Sequence, residues 1–268
     1  MPRLEERVVA ITGASAGIGL ALAELLVARG ASVAAFARRA DRLEDLAGRT
    51  KAGPGRLLPV AGDVTREDDV QALVDRTVAT FGRIDVMVCN AGIGFHGPLD
   101  ATPSDVSRRL VDVNVMGTIY AARAALTEMR RQQQGHIIAV SSIVGRRGVE
   151  GSSVYAATKA AQVAFIESLR AEFAGTGLHA SVVYPIATAT EFHEAIRRDF
   201  GQRVSGRGPR QPADAVARAI ARCIERPRPE VYPYPPSKLL AILAVVAPGA
   251  TDRIVERFRR RSHADGAP

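Results

Sequence analysis

The segment from Arg7 to Arg29 constrains this chain more than any other. Arg7-Val8-Val9-Ala10-Ile11 is a short apolar run rich in β-branched residues and reads as a buried strand. It leads directly into Thr12-Gly13-Ala14-Ser15-Ala16-Gly17-Ile18-Gly19, after which Leu20 to Arg29 continues with helix formers in a helical apolar pattern. Strand, glycine turn and helix in this order make a nucleotide site. The glycines let the backbone approach a pyrophosphate, and the helix N-terminus offers free N–H groups and the positive end of its dipole. The spacing is G-x3-G-x-G rather than the general G-x-G-x-x-G, so the strand and helix on either side carry the reading.

The rest of the chain alternates in the same way. Strand-like runs fall near 7–11, 32–36, 57–60, 84–89, 136–140 and 179–184, and helical runs near 18–29, 40–49, 66–81, 103–129 and 153–175. This alternation predicts an α/β fold, a doubly wound parallel sheet of Rossmann type with helices on both faces. A length of 268 residues suits one large domain of this kind. Thr65 with Asp68 resembles a capping box, and Pro103 suits a first helical position. We expect a dinucleotide-binding and catalytic core over 1–190, a substrate loop and helices over 191–226, with a loop at 201–212, and a Pro-rich, apolar extension over 227–268. Glu230 to Pro233 is a further candidate strand. Leu239 to Ala247 is an apolar run ending at Pro248, too short to span a bilayer. It is expected to form a helix that packs on the protein or at a subunit interface; a lid or a membrane-surface patch, with Arg253, Arg257 and Arg259 to Arg261 behind it, is the alternative.

Only three lysines stand among the 36 basic residues, and one of them, Lys159, follows Tyr155 by four positions. Residues i and i+4 share one helix face, so phenol and ammonium address the same pocket. A free tyrosine titrates near ~10, and a nearby cation favours the phenolate, which brings it closer to useful acid–base chemistry. Ser142 lies thirteen residues upstream of the tyrosine.

Taken together these residues resemble the short-chain dehydrogenase/reductase family over about 5–190. Thr12-Gly13 through Gly17-Ile18-Gly19 matches its cofactor turn, Asn90-Ala91-Gly92 its Asn-Ala-Gly motif, and Asn114, Ser142, Tyr155 and Lys159 its catalytic set. The resemblance implies hydride transfer between a nicotinamide cofactor and a carbonyl or alcohol, with Tyr155 as acid or base, Lys159 beside it, Ser142 on the substrate oxygen, and Asn114 holding a water that links Lys159 to solvent. It places Ala37, not a carboxylate, at the end of the second strand, followed by Arg38 and Arg39. Those arginines either pair with a 2′-phosphate, favouring NADP(H), or are simply exposed. Ser15 adds a hydroxyl there. Asp63 and Val64 match the adenine contacts, and Pro185, Thr188 and Thr190 the carboxamide positions, although Ile186 replaces the usual glycine. Ile93, Gly94, Phe95, His96, Ile143, Val144, Val149 and Tyr184 to Ile186 are the candidate substrate-pocket residues, most of them apolar. The same resemblance implies a homodimer or homotetramer. A non-catalytic NADP(H)-binding regulator, or an isomerase or dehydratase on the same scaffold, are the alternatives.

Composition narrows the field. The net charge is +8, but the arginines are scattered and no aromatic residues alternate with them, which argues against specific nucleic-acid binding. Cys89 and Cys223 show no metal spacing, and the five histidines show no ligand pattern, so no metal is expected. With no apolar leader-like stretch at the N-terminus, a cytoplasmic setting is expected.

Overall fold

The computed structural model describes residues 4–201 and 210–253. Its strands are β1 (Val8–Thr12), β2 (Ser32–Ala37), β3 (Arg56–Ala61), β4 (Val86–Cys89), β5 (Gly135–Val140), β6 (Leu178–Val183), β7 (Thr188–Ala189), β8 (Gln211–Pro212) and β9 (Glu230–Val231). Its helices are α1 (Gly17–Ala28), α2 (Ala40–Thr50), α3 (Glu67–Phe81), α4 (Ser104–Val111), α5 (Gly117–Gln132), α6 (Ser153–Glu172), α7 (Phe192–Phe200), α8 (Ala213–Glu225) and α9 (Pro236–Val246). Seven strands form one sheet in the order β3-β2-β1-β4-β5-β6-β9, and every ladder in it is parallel.

Two apolar layers explain why the strands read as continuous hydrophobic runs. Side chains alternate across a strand. Val9, Ile11, Val33 and Ala35 therefore face α1, α2 and α8 through Leu22, Leu26, Leu43, Leu46 and Ile220. Ala10, Ala34 and Phe36 face the opposite layer, built by α3, α5 and α6 through Leu73, Ala121, Met129 and Ile166. The chain moves outward from β1 to β3, then returns to β4 on the other side of β1. That reversal opens a crevice at the carboxyl ends of β1 and β4.

Several expectations are corrected. The single helix over 103–129 is divided by a π-turn at Asp112–Met116, whose wider winding carries Asn114 inward. The Thr65–Asp68 capping box does not form. Thr65 bonds Asp63 through both its N–H and its hydroxyl, α3 begins after Arg66, and Asp69 is the carboxylate that reaches back, to the Asp63 N–H. Local Asx bonding has displaced the cap. Of the expected loop at 201–212, Gln211–Pro212 forms β8 against β7, and 202–209 lie outside the described residues.

The candidate strand at 230–233 shortens to β9, which joins the sheet beside β6. The apolar run after it does form a helix, α9, but that helix buries only Ser237 and Ala241. Leu239, Val245 and Val246 are 73%, 74% and 77% exposed. A helix that is apolar all round can press only one face on the domain, so the expected packing of this run on its own chain is largely absent. Among the described residues, no helix is long and apolar enough to cross a membrane. Arg257 and Arg259 to Arg261 lie outside the described residues.

At the amino end of the sheet His136 is buried with its Nε2 2.7 Å from Ser181 Oγ. Ser181 donates its own hydrogen to Arg228 O, so the histidine is the donor in that contact and its bare Nδ1 has no partner. Burial, with His179 and Arg7 nearby, pushes this imidazole down to about 3. The unfolded chain therefore binds an extra proton between about pH 6.5 and 3, and stability falls as pH drops through that window. His136→Asn should remove about 3 kcal/mol of the stability difference between pH 7 and pH 4, measured by urea unfolding at both values.

Candidate active site

The crevice is built on the β1–α1 turn. Gly13 adopts φ +71°, and a Cβ there would stand 2.8 Å from Ala91 Cα. A Cβ on Gly19 would meet Gly13 O at 2.4 Å. Asn90, just past β4, fastens this turn: its Nδ2 donates to Thr12 O at 2.9 Å and to Gly13 O at 3.2 Å. Thr12 Oγ1 accepts from the Asn90 and Ala91 N–H groups in return. Ala16 occupies the N-cap of α1 and supplies no side-chain acceptor. The first N–H groups of the helix thus face the crevice, as a phosphate requires.

The cleft encloses about 450 Å³. Gly13, Ser15, Gly17, Ile18, Arg38, Arg39, Asp63, Val64, Asn90, Ala91, Gly92, Ser142, Tyr155, Lys159, Pro185, Thr188 and Thr190 all line it. Gly19 and Asn114 do not. Gly19 packs beneath the turn, and Asn114 is fully buried behind it. Thr188 Oγ1 already donates to Ile186 O, and Thr190 Oγ1 accepts from Phe192 N.

Tyr155 and Lys159 stand on successive turns of α6, with the ammonium 5.8 Å from the phenol ring centre. Burial pushes the Tyr155 phenol up to about 12, against a hydrogen bond with Ser142 that lowers it. Burial pushes Lys159 down to about 7. The expected lowering of the phenol by its neighbouring cation is not seen: burial sets the direction for both groups, and both favour their neutral forms. Ser142 also donates to Pro185 O at 3.5 Å and accepts from Val144 N, whereas the Ser141 hydroxyl is committed to Lys159 O.

At the other end Arg39 donates to Ser15 Oγ at 3.1 Å through Nη2. Arg39 and Arg42 also pair with Glu191, at 3.4 and 2.6 Å, and the Arg42 hydrogen bond holds that carboxyl below the usual range. Arg38 lies 3.9 Å from Asp63.

On the substrate side the expected pocket is only partly formed. Ile93, Ile143, Val144, Pro185 and Ile186 line the cleft. Phe95 turns away to pack on Phe200, Tyr184 is buried against Tyr232, His96 bonds Ser152, and Val149 is exposed. Gly94 instead leaves room for Phe192, whose ring sits 6.0 Å from that of Tyr155. Sequence reading missed the wall that α4 and α7 supply, with Arg109, Phe192, His193 and Arg198. It also missed Gln162, although that polar residue falls on the face of Tyr155 and Lys159 at helical spacing.

A doubly wound parallel sheet with a glycine-lined crevice at its switch point is the architecture in which ligands bind outside the carboxyl ends of the strands. Residues 7–200 match the family model described as short chain dehydrogenase. The chain is 38% identical over 232 residues to an uncharacterized oxidoreductase of Staphylococcus saprophyticus, covering 85% of this chain and 93% of that protein. A short chain dehydrogenase/reductase from Burkholderia phymatum, solved in complex with NAD, superposes with a TM-score of 0.82 at 25% identity, covering 91% of this chain and 94% of that one. An alcohol dehydrogenase from the archaeon Thermococcus sibiricus, complexed with 5-hydroxy-NADP, gives 0.75 at 26% identity, covering 84% and 95%. The chain belongs to the short-chain dehydrogenase family and is an oxidoreductase.

Gly19→Ala should destabilise the fold by about 1–3 kcal/mol through overpacking on Gly13 O and weaken dinucleotide binding. Chemical denaturation and calorimetric titration read the two effects separately; a variant with wild-type values in both would contradict this account of the turn.

Proposed function

We propose that the protein transfers a hydride between NADP(H) and a carbonyl or alcohol carbon of an apolar substrate, with Tyr155 as general acid for reduction and general base for oxidation. The observation that carries this reading is the convergence of Tyr155, Ser142 and Lys159 on the cleft that also holds the glycine turn. Bound NADP(H) supplies the hydride or receives it.

The residues present fit such a cofactor. The backbone at Gly13, Ser15, Gly17 and Ile18 would hold the pyrophosphate at the uncapped start of α1. Asp63 and Val64 would flank the adenine, Asn90, Ala91 and Gly92 the ribose side, and Pro185, Thr188 and Thr190 the carboxamide. In reduction Tyr155 gives its proton to the substrate oxygen. It starts in the right state, because burial keeps the phenol protonated across neutral pH. Ser142 donates to the same oxygen as negative charge develops there. When charged, Lys159 stabilises the phenolate left behind. Ile93, Val144, Ile186 and Phe192 keep the reacting carbon away from water. The reading extends to a cytoplasmic homodimer or homotetramer; both cysteines are free and buried, which suits a reducing compartment.

NADP(H) is preferred on this reading because Ala37 leaves no carboxylate at the end of β2, while Arg38 and Arg39 line the cleft and Arg39 donates to Ser15 Oγ. Two carboxylates compete there, Glu191 with Arg39 and Arg42 and Asp63 with Arg38, against three guanidiniums.

Tyr155→Phe should lower kcat for NADPH-dependent reduction by about 10²- to 10⁴-fold in a ketone and aldehyde panel; an unchanged rate would remove the tyrosine from the chemistry. Direct titration should show NADPH binding about tenfold or more tighter than NADH, and Ala37→Asp with Arg38→Ala should reverse that order. Equal affinities in the unmodified protein would defeat the cofactor assignment.

A further inference from the structure

Lys159, Tyr155 and Gln162 lie on one face of α6, four and three residues apart. Gln162 is 1% exposed and lies in the helix interior, where an unpaired carboxamide is costly. Every polar atom of it is used. Lys159 Nζ donates to its Oε1 at 3.0 Å, and an ammonium can only donate, so the carboxamide oxygen must be the end that faces it. Nε2 then donates to Asn114 O at 2.8 Å and to Thr118 Oγ1 at 2.7 Å. Thr118 Oγ1 in turn donates to Asn114 O at 2.8 Å. That carbonyl has two lone pairs, and both are taken. The Asn114 side chain is equally committed: Oδ1 accepts from Ile93 N, and Nδ2 donates to Ile93 O and to Thr158 Oγ1.

We propose that Gln162 is a positioning residue for the reaction, its carboxamide spanning from the Lys159 ammonium to the Asn114 carbonyl, turning the ammonium toward Tyr155 and closing that carbonyl to any proton carrier. This rests on the roles given above to Tyr155 and Lys159. It departs from what the family resemblance implies for Asn114, a water joining it to Lys159. An amide joins the same two groups but does not pass protons as water does. In reduction the Tyr155 O–H bond breaks as the substrate O–H bond forms; the phenolate then regains its proton from solvent water at the mouth of the cleft. While charged, Lys159 stabilises that phenolate without itself entering the proton transfer. Its remaining N–H bonds are one to Val140 O at 3.0 Å and one left for the cleft.

Among the described residues, the groups packed around the ammonium are neutral: Val140 O from β5, Gly92 from the segment after β4, and Gln162 from α6. Tyr155 is its titratable neighbour, and burial alone lowers it, with no carboxylate acting on it. Its titration should therefore respond strongly to what stands at position 162.

The scarcity of lysine makes a direct test practical. With ¹³C-labelled lysine the full-length, cofactor-free protein carries three side-chain Cε signals, from Lys51, Lys159 and Lys238, and Lys159→Met identifies the relevant one. The wild-type midpoint is expected near the value of about 7 that burial imposes. Gln162→Met removes the acceptor while keeping the volume and should lower the midpoint by about one pH unit or more. Gln162→Glu places a carboxylate against the ammonium and should raise it by about one pH unit or more. The two variants move it in opposite directions, so either one that folds is decisive, and an unchanged midpoint overturns the bridge. In turnover, Gln162→Met should lower kcat on the order of tenfold with KM for the carbonyl substrate little changed, and should shift the pH profile of kcat. A folded Met variant with a wild-type profile would leave Gln162 a purely structural residue. Tyr155→Phe run alongside separates the failures: if it keeps full activity, the proposed reaction chemistry falls, while the lysine titration still decides the bridge.

Discussion

The site depends on a single buried junction, the hydrogen bonds by which Asn90 and Thr12 lock the end of β4 to the end of β1. A parallel sheet must send its chain away between neighbouring strands, and here the two halves of the sheet separate between β1 and β4. Left alone, the backbone groups beyond the strand ends would be free to splay. The threonine hydroxyl and the asparagine amide satisfy them instead and hold the glycine turn open. The uncapped start of α1, the Asn-Ala-Gly segment and, through Gly92 near Lys159 Nζ, the face of α6 that carries Tyr155 and Lys159 are referenced to that junction.

Burial then sets the chemistry. The side chains that could exchange protons in the cleft lie in a water-poor layer, and desolvation disfavours the charged form of each. The pair of Tyr155 and Lys159 is therefore not a ready-made phenolate and ammonium. It is a protonated acid beside a cation that burial has weakened, and the polar groups around that cation, Val140 O and Gln162 Oε1, decide how much charge it retains. The π-turn contributes at a distance, because the wider winding at Asp112–Met116 brings the Asn114 carbonyl within reach of Gln162.

Much of this was legible in the residues. The β1–α1 unit announces itself through apolar β-branched residues and glycines, and the parallel strands read clearly because both faces of each are buried. Tyr155 and Lys159 could be paired from helical spacing alone. What escaped sequence reading had a different cause in each case. The π-turn leaves the apolar pattern of 103–129 intact, so periodicity could not reveal it. Asp63 outcompeted Asp68 for the turn before α3, a contest between two local bonds of similar strength. The α7 wall depends on Gly94 making space for Phe192 about a hundred residues away. Leu239 to Val246 correctly read as helical, but the run has no polar face to show which side would meet the domain, and most of it meets none.

The two sides of the cleft are held by forces of unlike kind. Beneath the dinucleotide turn the contacts are buried amide and hydroxyl hydrogen bonds, insensitive to salt. Across the mouth, Glu191 beside α7 reaches Arg39 and Arg42 by half-exposed ion pairs, each worth no more than about 1 kcal/mol. Of the contacts among the described residues that tie the α7 side to the nucleotide turn, the Glu191 ion pairs alone are of the kind that ionic strength weakens; Phe192, Ile196 and Phe200 hold the same helix by apolar packing, which salt leaves in place.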